Sequence, residues 1–195
     1  MAKINKTITF CARAISLLLI LGVASAELDI ITKSEWNGKE ATGEFTNLEH
    51  PLKRIVICHT ASGDCDTKES CSQRVLMIQE YQMKVSHFDD IGYNFLIGND
   101  GHVYEGRGWD HQGAFARGFN AGSVGIAFIG TFEKTVPTEA ALKAAQALIE
   151  EGVKLEKVDS DYKLFGHKQL TPTDSPGSAL YNIIKEWQHW SQSLA

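Results

Sequence analysis

The sequence predicts a single α/β domain, a central mixed β-sheet flanked by three helices. Two observations carry that expectation. Arg54 to His59 (RIVICH) and Ser123 to Ile129 (SVGIAFI) are almost continuously apolar and β-branched, the pattern of strands covered on both faces. Between and after such runs lie segments with helical spacing of apolar residues, so strands and helices alternate and the helices pack on the sheet.

The elements follow in order. After the first strand, apolar residues at Val75, Leu76, Ile78, Tyr81, Met83 and Val85 predict a helix over Ser72 to Val85. Tyr93 to Ile97, the turn Gly98-Asn99-Asp100-Gly101 and His102 to Glu105 read as a hairpin. The strand at Ser123 comes next. Pro137-Thr138-Glu139 then opens a second helix running to about Leu155, with Thr138 as its cap and Glu139 at its positive end. Its stripe of Ala141, Leu142, Ala145, Leu148 and Ile149 faces the sheet. Tyr162 to His167 returns to extended structure. Leu180 to Trp190 closes the domain as an amphipathic helix through Leu180, Ile183, Ile184 and Trp187. Repeats, low-complexity stretches and internal linkers are absent.

The first residues set the compartment. Lys3, Lys6 and Arg13 precede the apolar run Ile15 to Val23 and then Ala24-Ser25-Ala26, the order of a secretory signal peptide cleaved before Glu27. An apolar core of nine residues is far short of the roughly 20 needed to span a bilayer. The expected organisation is therefore a leader over 1–26 and one domain over 27–195, soluble and extracellular. Without the leader's three basic residues, 16 basic and 24 acidic side chains remain, a net charge of −8. Such a chain, with no basic cluster, argues against nucleic acid or an anionic membrane surface as partner. Cys65 and Cys71, six apart in a polar loop of an exported chain, predict a local disulfide. Cys58, inside an apolar strand, is left unpaired.

Several strand ends carry polar or aromatic residues, which suggests that Thr60, Tyr93, Arg107 to Phe115 and His167 to Ser175 converge at one end of the sheet. Singly, these features are weak. The run GRGWDHQG (106–113) lacks the spacing of a dinucleotide loop, and no helix follows it at once. Cys58 with His167 could suggest a thiol nucleophile and base, but a cysteine in an apolar strand is ordinarily a small buried hydrophobe with a raised pKa. Ser175 beside Pro176-Gly177 reads as a turn residue.

Taken together the segments say more. Ser34-Glu35-Trp36, IVICHTAS (55–62), the Cys65/Cys71 pair, DIGYNFLIGNDGHVYEGRGW (90–109), SVGIAFIGTF (123–132), YKLFGHKQ (162–169), TDSPG (173–177) and LYNIIKEWQHW (180–190) resemble the peptidoglycan recognition protein family. That family's domain is similar to the zinc N-acetylmuramoyl-L-alanine amidases. The resemblance covers about residues 30 to 190. It is nearest the short secreted insect members of SD type, which share the GAFA variant at Gly113 to Ala116.

The departures from the family pattern matter as much as the matches. Catalytic members hold zinc with the first histidine of an H-H-T run, the histidine of G-H-R and a cysteine before P-G. Those positions are Cys58, His167 and Ser175 in this chain. A neutral serine hydroxyl is a poor Zn²⁺ ligand, so the resemblance implies a protein with no metal or other cofactor and no amidase activity, although Tyr93 and Thr173 match residues near the catalytic site. Binding does not need the metal. Tyr93, Trp109 and Phe115 are expected to supply apolar platforms for a glycan-peptide ligand, and Thr60, Arg107, His111 and His167 its hydrogen-bond donors, with Thr173 beside them. The function so implied is a non-hydrolytic innate-immune receptor for bacterial peptidoglycan, acting with other recognition or signalling proteins in Toll- or Imd-type responses. Two alternatives stand beside it: a residual amidase built on Cys58 and His167, and an interaction module that no longer binds walls. Phe115 in place of a common histidine and the bare Ala121-Gly122 loop, which lacks an arginine that reads diaminopimelate in some members, motivate the second.

Overall fold

The structure, a computed structural model, describes residues 28–194. The expected leader and the expected N-terminus at Glu27 lie outside the described residues. Six strands, β1 (Ile30–Ile31), β2 (Leu52–His59), β3 (Phe95–Ile97), β4 (Val103–Glu105), β5 (Ser123–Phe128) and β6 (Val158–Gly166), form one sheet in the order β1-β4-β3-β5-β2-β6. Every neighbouring pair is parallel except β3 and β4, which form the expected hairpin. Three helices, α1 (Lys68–Lys84), α2 (Glu139–Lys154) and α3 (Ser178–Ile184), complete a mixed sheet with helices on its faces.

Side-chain parity along the strands makes two cores. Ile55 and Ile57 of β2, Phe95 and Ile97 of β3, Val124, Ile126 and Phe128 of β5 and Leu164 of β6 face α2 and α3. Their alternates Val56 and Cys58, Leu96, Tyr104 and Ala127 face the α1 side, with Val75 and Cys71 of that helix. The central strands are buried on both faces, which is why they read as unbroken apolar runs.

The helix boundaries differ from expectation in two places. α1 starts four residues earlier than its apolar spacing indicates, because the Thr67 hydroxyl accepts from Ser70 N–H while Ser70 Oγ accepts from Thr67 N–H. α3 ends at Ile184 rather than Trp190. The chain beyond it leaves the helix to meet the free edge of β6, where Leu164 N–H donates to His189 O and Ser191 N–H donates to Leu164 O. α2 begins as expected, with Ala141 N–H donating to the Thr138 hydroxyl.

Cys65 and Cys71 are disulfide-bonded, with Cα atoms 5.0 Å apart. The bond ties the loop after β2 to the first turn of α1.

Candidate ligand groove

A groove of about 590 Å³ runs between α1 and the sheet. Thr60, Ala61 and Ser62 form one wall, Arg74, Met77, Ile78, Tyr81 and Gln82 of α1 the opposite one, and Ser86, Phe88, Tyr93, Ala114 and Phe115 the rest. The α1 residues arise from how that helix distributes its side chains. The row Cys71, Val75, Gln79, spaced by four, is buried against the sheet. Met77 and Tyr81 lie off that row and stand 59 % and 61 % exposed.

Buried amides hold the groove in place. Gln79 donates to Lys39 O and to Asp90 Oδ1, and accepts from Lys39 N–H. Asp90, itself fully buried, also takes Lys33 Nζ and Ile91 N–H. This network fastens α1 to the segment that begins β3, where Tyr93 sits. Asn94 donates to Gly108 O and His111 O and accepts from Gly125 N–H, so one side chain joins β3, β5 and the loop after β4. Its hydrogen-bonding capacity is used, as burial requires. Asn120 Oδ1 accepts from both Phe115 N–H and Ala116 N–H, which fixes the Phe115 backbone.

The Phe115 ring lies over the sheet at Gly125. A Cβ at residue 125 would stand 2.4 Å from that ring, so glycine is what admits it. The same ring meets the imidazole of His167 edge-on, centroids 6.5 Å apart. His167 Nε2 donates to Phe115 O at 2.8 Å. Because a carbonyl only accepts, Nε2 carries the proton and Nδ1 a lone pair; Nδ1 is buried with no partner among the described residues. Burial pulls the His167 pKa down, against the raising effect of the Phe115 carbonyl, so the ring is neutral at pH 7.

Cys58 and Ser175 stand beside it in the fold. Cys58 is fully buried and desolvation drives its thiol pKa far up, so it is a thiol and not a thiolate. Tyr93, next to it, is pushed up by burial first and by Cys58 second. Ser175 Oγ accepts from His59 N–H at 2.9 Å, and Ser175 N–H donates to Thr173 Oγ1. Among the described residues no group of three or more His, Cys, Asp or Glu is placed to hold a metal ion.

The expected site residues do not all meet here. Thr60, Tyr93 and Phe115 line the groove, and His167 lies behind Phe115. Trp109 does not reach it. Its ring packs on Phe95 at 4.5 Å and against Gly152 of α2, in the core on the other face of the sheet. Arg107 lines a smaller depression of about 300 Å³ that shares Phe88 and Ala114 with the groove. Its guanidinium is engaged by Ile91 O and Gln112 O and lies over the Phe45 ring. His111 packs on Phe45 as well, at 5.1 Å. Thr173 is an exposed loop residue.

Convergence at one strand end is also corrected. Because β4 is antiparallel to β3, the run from Arg107 leaves at the end where Tyr93 enters, opposite His59 and Thr60. Thr60, Tyr93 and Phe115 meet instead across the α1 face. The α1 wall itself, Arg74 to Gln82, was not among the expected site residues; the signal for it was a polar Gln79 on the buried row, which left Met77 and Tyr81 to face something else.

The sequence pattern of the N-acetylmuramoyl-L-alanine amidase family matches residues 48–178, so the mixed sheet and its α1-face groove belong to an amidase-type domain. Peptidoglycan-recognition protein SD of Drosophila simulans is 47% identical over 181 residues, covering 91% of this chain and 97% of the relative. The crystal structure of Drosophila peptidoglycan recognition protein SD superposes with a TM-score of 0.85 at 47% identity, over 87% of this chain and 100% of that one. Peptidoglycan recognition protein LE, solved in complex with tracheal cytotoxin, a monomeric diaminopimelic acid-type peptidoglycan, matches with a TM-score of 0.82 at 38% identity, over 83% of this chain and 95% of that one. The chain belongs to the peptidoglycan recognition protein family.

Proposed function

We propose that the protein is a secreted receptor that holds a bacterial peptidoglycan fragment in the α1-face groove and does not hydrolyse it. The leader-like run over 1–26 supports export, and no helix among the described residues is long and apolar enough to cross a membrane. The bound ligand of the LE relative supports a muropeptide as the occupant. Thr60 and Tyr93 offer polar groups and Phe115 a hydrophobic wall, the mixture that glycan-peptide ligands use.

The observation that carries the non-hydrolytic part is the state of Cys58, His167 and Ser175. The set does not fit zinc. One neutral imidazole is flanked by a thiol held protonated and by a hydroxyl already bonded to backbone. Zn²⁺ sites are built from thiolate, imidazole and carboxylate. With this set the chain holds its ligand intact. Its residues bind and orient, and the consequence of binding is passed to other recognition or signalling proteins of Toll- or Imd-type responses.

The proposal is tested by sedimentation of purified protein with insoluble walls of the diaminopimelate type and of the lysine type. Protein is expected in the pellet with at least one of them. Recovery wholly in the supernatant with both would refute it and favour an interaction module, a reading to which the exposed Met77 and Tyr81 give some support.

A further inference from the structure

The groove has an unusual charge pattern for this protein. The chain as a whole is acidic, with net charge −5. Yet none of the groove's lining residues is an aspartate or glutamate, and one of them, Arg74, is cationic. That guanidinium lies along the loop after β2, where a Cβ on Gly63 would stand 3.0 Å from its Nη2. Its neighbours one turn away on α1, Ser70, Cys71, Met77 and Ile78, include no acid. Every ion pair among the described residues is made by a lysine or a histidine.

Two other arginines show the contrast. Arg54 donates to Ser123 Oγ and Phe119 O, and Arg107 to Ile91 O and Gln112 O. Both are spent on holding the fold. The Arg74 guanidinium has neither a hydrogen bond nor an ion pair to another described residue, and the side chain is half-buried at the groove wall. A guanidinium presents its donors in a planar fork that matches a carboxylate, and such charge-assisted pairs are about twice as strong as neutral hydrogen bonds. With no competing acid along the groove, an anionic group on the occupant is the partner that completes it.

We infer that Arg74 is a specificity-determining residue that reads a free carboxylate on the stem peptide of the bound fragment. This inference rests on the peptidoglycan reading above. Arg74 stands at the outer wall of α1, remote in sequence from the Ala121-Gly122 loop, so it supplies a charge contact that the bare loop does not. Muropeptides whose stem carboxylates are amidated lose that contact and keep the rest.

The test is a titration of the full secreted protein with one soluble muropeptide in two forms, stem carboxylates free and stem carboxylates amidated. Wild-type protein is expected to bind the free form roughly tenfold more tightly. Arg74→Ala is expected to bind the free form roughly tenfold more weakly and the amidated form as wild type does, so the preference disappears. Arg74→Lys, which keeps the charge without the fork, should retain part of it. Wild-type protein that binds both forms alike, or an Arg74→Ala variant that keeps the preference, overturns the inference and leaves peptidoglycan binding standing. Wild-type protein that binds neither form overturns both.

Discussion

The His59 backbone N–H donates to the Ser175 hydroxyl at 2.9 Å across 116 residues of sequence. Through it the end of β2 is fastened to the loop before α3, and the oxygen is turned to a structural task. Around it stand the buried Cys58 thiol and the neutral His167 ring.

Trp109 and Tyr93 separate stability from binding. Trp109→Ala is expected to lower stability by about 3 kcal/mol, the range for truncating a large aromatic in a core, because its ring fills the space between Phe95 and Gly152. Trp109→Phe should fold well and bind muropeptide unchanged. Tyr93→Ala should weaken binding at least several-fold. Urea unfolding and a binding titration on the three variants check this pattern, which reverses if Trp109 belongs to the groove.

Gly125 controls where Phe115 sits. A methyl group at residue 125 would collide with the ring, so Gly125→Ala is expected to cost roughly 1–3 kcal/mol as overpacking and to push Phe115 toward the groove. Muropeptide affinity should fall with it. Combining it with Phe115→Ala should restore most of the lost stability, since the clash is then gone. Chemical unfolding of the single and double variants measures the coupling.

Acid should weaken the fold in two separate steps. Burial lowers the pKa of both His59 and His167. A histidine depressed in the folded state takes up its proton first in the unfolded state, so stability is full above the unfolded pKa of about 6.5 and declines as pH falls below it. Depressed carboxylates such as Asp110 act only at lower pH. His167→Gln is expected to flatten the first decline between pH 6.5 and 5, read by thermal unfolding across that range. An unchanged slope would show that the imidazole is not held neutral.

The Cys65–Cys71 bond anchors the groove rim. Replacing both cysteines by serine should lower stability by roughly 2 kcal/mol, the chain-entropy value for so short a loop. Because Ala61, Ser62 and Arg74 lie on either side of the bond, affinity for muropeptide should fall as well. Equilibrium unfolding and titration of the double variant test both effects.

Much of this was legible before the structure. β2 and β5 are continuous apolar runs because both their faces are covered, and the β3–β4 turn carries its own Asn-Asp-Gly signal. Thr138 announced α2. What was not legible depends on pairing. β1 is two residues long and has no periodicity of its own; it exists because β4 offers it an edge. The face to which Trp109 turns follows from the antiparallel run of β4, which no local pattern encodes. No motif or spacing in the sequence singles out Arg74. Only the placement of α1 over the sheet, with Gln79 buried and Met77 outward, makes it part of a wall.

Capture without cleavage is read directly by one assay. Purified protein is incubated with insoluble peptidoglycan, with and without added zinc, while bound protein and newly released stem peptide are measured together. Capture in the pellet with no released peptide under either condition is the expected result. Release of stem peptide that depends on zinc would contradict it.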